Sequence, residues 1–380
     1  MNILLVTSFL EPETGAGTAE RTRHLAIHLA ALGCKCAVIA MAGTTWQNEF
    51  KAADVRIVLT GSLGRRFPIP LVRLSKIWRL VCWADVVHVM GYWYLLAPLI
   101  CFLATFARKP FALCPAGELT PEFRGAPWKR VYHRLLGRSM ISGAASIIAT
   151  TARERDEILQ TEHVAGSRMF ISPNGIAPVE TLGSCKITLP IKPFILFVGR
   201  LTAIKGPDLL IRAFAQVSNS DPSLQLVIAG PDRGMRGTLQ AMIQSLGMQG
   251  RVALLGFVDE TTRNHLYKNA AFLVIPSRSE VMSMVALEAA ALGIPVLLTD
   301  RCGFNEVEEV GGGLVVSADV ASLAAGLTKM IDQTRNAAPM GERLRAFVLV
   351  QYAWPRIAGQ LKHHLARIAG LPAGILDQSE

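Results

Sequence analysis

Short apolar runs alternate with longer stretches of helical periodicity along this chain from its first residues. Residues 3–6 form an apolar run of strand length, residues 18–32 repeat apolar positions at helical spacing and stop at Gly33, and residues 36–40 are apolar again. Residues 86–90, 111–113 and 146–149 continue the series as strands, with helical stretches between them. Strands this uniformly apolar are covered on both faces, as in a parallel sheet flanked by helices. The periodicity lapses from residue 173 to 193, where Asn174-Gly175, Pro178, Gly183, Pro190 and Pro193 cluster. A second series follows, with strands expected at 194–198, 225–229, 251–255, 272–275 and 296–299. The pattern predicts an α/β chain of two Rossmann-like, doubly wound domains: residues 1–180, a linker at 181–193, and residues 194–352.

A length of 380 residues gives each domain enough chain to bury a core, and 51% hydrophobic against 18% charged residues excludes a mostly disordered chain. Cys34, Cys36, Cys82, Cys101, Cys114, Cys185 and Cys302 form no CxxC pair and match no histidine spacing, so they read as reduced core cysteines of a cytoplasmic protein. Residues 1–10 lack the basic segment of a secretory leader. Residues 92–107 carry no charge, but the run is short for a bilayer and contains Pro98, so a buried helix is expected there.

Charge is unevenly spread along the chain. The formal net charge is +10, and a surplus of nine falls between Arg65 and Arg138, where twelve Lys or Arg residues stand against Asp85, Glu118 and Glu122. Apolar residues interleave with these cations: Phe67, Ile69, Leu71, Leu74, Ile77 and Trp78, then Trp128, Val131, Tyr132, Leu135 and Leu136. Basic amphipathic segments of this kind suit an anionic membrane surface. A solvated basic face, or one that meets substrate phosphates, is the alternative. Nucleic acid is not expected as a partner, because no helix-turn-helix, zinc-finger or RNP pattern accompanies the charge.

Candidate chemistry lies in the loops that leave the strands. In FLVIPSRSEVMSMVALEAAALGIPVLLTD, residues 272–300, Glu280 falls in the loop after a strand and Glu288 inside the next helix, expected at 283–292 and closed by Gly293. Helical rise bounds their separation at about 12 Å, enough for one carboxylate to meet a sugar and the other a ribose. Glutamate is also simply a good helix former. Arg200 follows the first strand of the second domain, and Lys205 precedes Gly206-Pro207, where the proline suits a first helical turn. A guanidinium binds phosphate oxygens in bidentate fashion and an ammonium acts as a point charge, so the two could hold a diphosphate; solvated surface cations are the plain alternative. Gly230, Gly256, Phe257 and Val258 leave neighbouring strands at the same carboxyl edge, where open α/β sheets bind ligands. In the first domain, Gly15 and Gly17 are placed in the turn before a helix N-terminus, where backbone N–H groups can approach a phosphate or sugar, or where the turn serves only as a connection. His24 and His28 lie one helical turn apart with no third ligand, and no Asp-x-Asp occurs, so no metal site is expected.

FVGRLTAIKGPDLLIRAF, VIAGP, LLGFV and PSRSEVMSMVALEAAALGIPVLLTD, in this order, resemble the family 4 retaining glycosyltransferases, strongly over residues 194–316. PETGAGTAERTRHLAIHLAALG resembles the family's first loop and helix, PNGI at 173–176 the end of its first domain, and YAWPRIAGQL at 352–361 its terminal aromatic segment. The resemblance implies the GT-B fold: two Rossmann-like domains facing a cleft, with a last helix, placed at 353–372, crossing back to the first domain. It implies transfer of a sugar with retention from a UDP-, GDP- or ADP-sugar to a hydroxyl of a polysaccharide or lipid-linked saccharide. No cofactor is implied, and the setting is cell-envelope or exopolysaccharide synthesis at the cytoplasmic face of a membrane. Carried onto this sequence, Arg200 and Lys205 hold the donor diphosphate, Glu280 lies near the donor sugar and Glu288 near the ribose. Gly256, Phe257 and Val258 lie beside the base, Gly230, Ser283, Met284 and Val285 join the donor contacts, and Gly15 and Gly17 occupy a loop that closes over the donor.

The chain departs from the family pattern at three places. Glu280-Val281-Met282-Ser283 stands where relatives often have EGFG, which marks residues 281–283 as setting donor choice. Ala116-Gly117-Glu118 stands where many have a histidine, with Glu118 a candidate for a substitute polar role, and Asn174-Gly175-Ile176-Ala177 drops the acid of NGVD. Two other activities fit an α/β chain of this kind: a nucleotide-sugar epimerase or hydrolase, and an NAD-dependent oxidoreductase, against which the missing GxGxxG counts.

Overall fold

The computed structural model describes residues 1–64, 68–71, 73–120, 126–177, 194–218, 223–334 and 338–372. The expected linker at 181–193, together with Arg65, Arg66, Phe67, Glu122, Arg124 and Cys185, lies outside the described residues. The chain divides into two compact units, Met1–Gly175 with Trp354–Glu380, and Ile176–Ala353. The first crossing therefore falls at Gly175, before the expected boundary at residue 180.

In the first unit the elements run β1 (Asn2–Val6), α1 (Pro12–Ala31), β2 (Lys35–Ala40), α2 (Gln47–Ala52), β3 (Arg56–Leu59), a hairpin of β4 (Ser62–Leu63) and β5 (Ile69–Pro70), and α3 (Leu74–Trp83). They continue as β6 (Val86–Met90), α4 (Leu96–Phe106), β7 (Phe111–Cys114), α5 (Pro127–Tyr132), a π-helical turn at His133–Gly137, α6 (Arg138–Gly143), β8 (Ser146–Ala149), α7 (Ala152–Glu162) and β9 (Met169–Ile171). Seven strands form one parallel sheet in the order β3-β2-β1-β6-β7-β8-β9. Strands β1, β2, β6, β7 and β8 are almost wholly buried, as their unbroken apolar runs require. Strands β3 and β9, which apolar runs alone did not predict, lie at the sheet edges and are only partly buried.

The second unit runs β10 (Phe194–Val198), a 3-10 turn at Ala203–Lys205, α8 (Pro207–Val217), β11 (Gln225–Ala229), α9 (Arg236–Ser245), β12 (Val252–Gly256), α10 (Glu260–Asn269) and β13 (Phe272–Ile275). Then come α11 (Met284–Ala291), β14 (Val296–Thr299), α12 (Glu306–Glu309), β15 (Gly313–Val316), α13 (Val320–Thr334) and α14 (Ala338–Gln351). The six strands pair in parallel in the order β12-β11-β10-β13-β14-β15. Alternate residues of β10 enter two cores, Phe194 and Leu196 on one face, Ile195 and Phe197 on the other. A sheet packed on both faces leaves only the strand ends for chemistry.

The last helix, α15 (Trp354–Ile368), belongs to the first unit. The Trp354 ring stacks on His24 at 4.9 Å and leaves no room for a side chain at Gly175, where a β-carbon would lie 2.4 Å from the ring. Lys362 Nζ donates to the Leu32 carbonyl at 3.0 Å, and His364 shares a 2.7 Å hydrogen bond with Ser146 Oγ.

Three expectations change. Helix α1 starts at Pro12 rather than Thr18, so Gly15 and Gly17 lie within its first turns and not in a loop. Gly15 N–H donates to the Glu11 carbonyl at 2.8 Å, and a β-carbon at Gly15 would lie 2.7 Å from the Phe9 carbonyl oxygen, so this glycine is explained by close packing in the helix. Cys82 is exposed on α3, unlike the buried Cys34, Cys36, Cys101, Cys114 and Cys302. The uncharged run at 92–107 forms α4, which buries Leu96, Ala97, Ile100, Cys101 and Ala104 yet exposes Phe102 and Phe106, because one stripe of the helix faces away from the sheet. Among the described residues no helix is long and apolar enough to cross a membrane.

Buried histidines give the first unit a pH signature. His88 sits in β6 with neither ring nitrogen hydrogen-bonded among the described residues, and burial, then Arg21 and His364, push its pKa down to about 3. Burial, then Arg367, brings His364 to about 4. Both stay neutral in the fold, whereas in the unfolded chain they take a proton near 6.5. The share of stability that rests on these two neutral rings is therefore present above pH 6.5 and is lost as pH drops below it, by at most about 1.4 kcal/mol per pH unit for each histidine. Denaturant titrations between neutral pH and pH 4.5 should show native and His88→Leu proteins differing in slope by about one proton, the native chain losing more stability toward acid; identical slopes in the two would contradict the assignment.

Candidate functional site

Counted within the second unit, the strand order is 3-2-1-4-5-6, so the direction in which the sheet is built reverses between β10 and β13. Loops leaving strands on either side of such a reversal bound a ligand crevice. Here those loops carry Lys205 and Glu280, and Lys205 Nζ meets Glu280 Oε1 at 2.5 Å, with the side chains only 20% and 14% exposed. Glu280 Oε2 also accepts from Ser277 Oγ at 3.1 Å. Arg200 is exposed at the end of β10, on the same edge.

The backbone around this pair is held from two sides. Gly206 has φ +67°, and a β-carbon there would lie 2.0 Å from the Pro276 carbonyl oxygen, so only glycine lets the Lys205 turn rest on the β13 loop. Arg278 N–H donates to the Ile204 carbonyl at 2.8 Å, while its guanidinium reaches the Ala203 carbonyl at 2.5 Å and both Asp208 oxygens at 2.8 and 2.6 Å. On the other side Glu280 N–H donates to the Arg301 carbonyl at 2.9 Å, Ser283 N–H to the Cys302 carbonyl at 3.1 Å, and Thr299 Oγ1 to the Ser277 carbonyl at 2.6 Å. Burial, then the Glu280 charge, pushes the Cys302 thiol up to about 12, so Cys302 is a protonated packing residue behind the pair. No spacing in the sequence connects Arg278 to Asp208, seventy residues earlier; only the fold brings them together.

Helix α11 starts as expected but uses its residues differently. The Ser283 hydroxyl is buried and accepts from Ala286 N–H at 3.3 Å, capping the helix. Met282 packs into the core, so the residues read as setting donor choice present chiefly Val281 to the surface. Met284 and Val285 form the first helical turn, half-buried. Glu288 Oε2 accepts from the Tyr267 hydroxyl at 3.0 Å and lies 3.3 Å from Arg263 Nε, both on α10. Burial, then the Glu288 charge, holds the Tyr267 phenol well above its usual pKa, so it remains a donor. Sequence reading missed both partners, which sit in the helix that follows the Gly256–Val258 segment.

The remaining predicted residues lie along the same sheet edge. Gly230 N–H donates to the Gly256 carbonyl at 2.7 Å, and a β-carbon at Gly230 would meet the Gly199 carbonyl oxygen at 1.8 Å, so three strand ends approach through glycine backbone. Phe257 is 76% exposed, and Val258 is half-buried.

In the first unit, Glu118 lies in a loop where Ala116 and Gly117 have φ +51° and +85°. Its carboxylate accepts from the backbone N–H groups of Tyr92 and Trp93, and burial, opposed by these donors, raises its pKa. Glu154 takes Gly117 N–H at 2.5 Å, Thr150 N–H at 2.7 Å and the Thr150 hydroxyl at 2.6 Å, which fixes the same loop. Arg21, fully buried on α1, donates to the Ser172 and Pro173 carbonyls at 2.7 and 2.5 Å. His24 and His28 stack at 6.2 Å, and among the described residues no three His, Cys, Asp or Glu side chains gather to hold a metal ion.

Comparison with known proteins bears on the family and the fold. The family profile described as Glycosyl transferases group 1 matches residues 188–347, and that described as Glycosyl transferase 4-like domain matches residues 16–175. An uncharacterized glycosyltransferase of Methanocaldococcus jannaschii is 37% identical over 166 residues, 43% of this chain and 42% of that protein. The D-inositol 3-phosphate glycosyltransferase of Xylanimonas cellulosilytica is 26% identical over 309 residues, 73% of this chain and 71% of that protein. Among these first relatives the matched stretch thus spans from under half to just over two thirds of the relative's length. The crystal structure of the Anabaena HepE protein in complex with UDP superposes with a TM-score of 0.73 over 97% of this chain and 100% of that one, at 17% identity, and shares the fold. With both unit-length profiles matched in order and the two parallel sheets in place, the chain belongs to the group 1, family 4 type glycosyltransferases of GT-B fold.

Proposed function

We propose that this glycosyltransferase moves a sugar, with retention at its anomeric carbon, from a nucleoside-diphosphate sugar to a hydroxyl of a saccharide or lipid-linked saccharide. The observation that carries this reading is the Lys205–Glu280 pair at the strand-order reversal, with Arg200 on the same edge. In the absence of donor, Glu280 neutralises Lys205. A diphosphate between Arg200 and Lys205 competes for the ammonium and leaves the Glu280 carboxylate to face the sugar. The two cations stabilise negative charge as the leaving phosphate departs, and that phosphate can take the proton of the acceptor hydroxyl on the face it has just left. Glu288, oriented by Tyr267, is the candidate ribose contact, and Gly256–Val258 the candidate base contact. The UDP complex of the Anabaena neighbour favours a nucleotide donor. An epimerase or oxidoreductase reading gains nothing from the family match.

The test is a donor screen that follows nucleoside-diphosphate release with extracted acceptors, with the anomeric configuration of the product read by NMR. Arg200→Ala and Glu280→Ala should each lower kcat/KM by about a hundredfold or more, and EDTA should leave the rate unchanged. Turnover of no nucleotide sugar, release without an acceptor, or an inverted product would each defeat the proposal.

We also propose that the first unit rests on an anionic membrane at the cytoplasmic face, in keeping with an envelope or exopolysaccharide role. Helices α3, α4 and the α5–α6 segment expose Leu74, Phe102, Phe106, Val131 and Leu135, and Trp78 and Phe106 touch at a ring separation of 5.7 Å. Lys76, Arg79, Arg108, Arg130, Arg134 and Arg138 are exposed on the same segments. Vesicles containing phosphatidylglycerol should float the protein, high salt should release it, and Phe102→Ser with Phe106→Ser should weaken flotation about tenfold or more. Flotation indifferent to lipid charge and salt would overturn this.

A further inference from the structure

The loop between β11 and α9 builds a corner that the donor reading does not yet use. Asp232 Oδ1 accepts the backbone N–H groups of Gly234, Met235 and Arg236 at 2.9, 2.9 and 3.1 Å, which starts α9 at Arg236. Leu201 N–H donates to the Pro231 carbonyl at 2.9 Å, so this turn is also tied to the loop between Arg200 and Lys205. The result carries the Arg236 guanidinium across to β12: a β-carbon built on Gly256, itself at φ +75°, would lie 3.3 Å from Arg236 Nη1. The open glycine backbone and a planar guanidinium therefore meet at one strand end, with the exposed Phe257 next along the chain.

Its distance from the Lys205–Glu280 pair is informative. From β13 to β12 the sheet spans three strand spacings, about 14 Å, a length that a diphosphate and a ribose can bridge. A guanidinium offers only donors. It satisfies a base edge that presents a carbonyl oxygen, as uracil O4 or guanine O6 does, whereas the exocyclic amine of adenine or cytosine would put donor against donor.

We infer that Arg236, placed over Gly256 beside Phe257, reads the base of the donor and selects a nucleoside diphosphate with a carbonyl on the base edge over one with an amine there. This rests on the donor reading above and deepens it. Calorimetric titration of the full chain with UDP, GDP, ADP and CDP, and with inorganic pyrophosphate, tests it. UDP or GDP should bind at least about tenfold more tightly than ADP or CDP. Arg236→Ala should bring the four within about twofold of one another, with pyrophosphate affinity unchanged. Arg236→Lys, which keeps the charge and loses the planar fork, should also lose the preference. The inference falls if native protein prefers ADP or CDP, or if Arg236→Ala leaves the ratios intact or weakens all four nucleotides equally. Binding of none of the four to folded protein would instead defeat the donor reading itself.

Discussion

The α-carbon of Gly206 comes so near the carbonyl of Pro276 that no β-carbon fits between them, and the geometry of the candidate site depends on that contact. It lets the loop after β10 rest on the loop after β13 at the place where the strand order reverses. Lys205 then meets Glu280, Arg278 can close over Ala203 and reach Asp208, and the Glu280 loop gains backbone bonds to Arg301 and Cys302 on its far side. A pair of opposite charges held in place by its backbone needs little rearrangement when a charged ligand replaces one partner. The same logic extends along the edge, where Gly199, Gly230 and Gly256 bring three strand ends together without side chains.

The first unit solves a different problem with buried polar groups. Arg21 binds the carbonyls of Ser172 and Pro173 just before the chain leaves the unit, and Glu154 fixes the loop that carries Glu118. Trp354 then closes over Gly175 as the chain returns. Both crossings of the first unit are thus anchored by residues on α1 and α15. Its outer helices, by contrast, expose aromatic and basic residues together, Phe102 and Phe106 beside Arg108 among them.

Much of the fold was legible because the central strands are continuous apolar runs with glycine or proline at their ends. Strands β3 and β9 escaped because edge positions relax the demand for burial. The start of α1 was misplaced because two glycines read as a turn, although Gly15 is small to clear the Phe9 carbonyl. At the site, Arg200, Lys205, Glu280 and Glu288 could be named from motif order. The partners of Glu288 could not, since Tyr267 and Arg263 are joined to it only by helix packing, and the Arg278–Asp208 pair that braces the Lys205 turn is likewise made only by the fold. Met282 and Ser283 illustrate the opposite limit: their place in the motif suggests ligand contact, while amphipathic packing and helix capping turn both inward.

On donor binding, Lys205 should exchange Glu280 for the diphosphate. A crystal structure of the protein with bound nucleoside diphosphate tests it most directly. Diphosphate oxygens should lie within hydrogen-bond reach of Lys205 Nζ and the Arg200 guanidinium, with the Lys205–Glu280 contact lengthened and the base beside Gly256. A diphosphate bound elsewhere, with the Lys205–Glu280 pair unchanged at 2.5 Å, would contradict it.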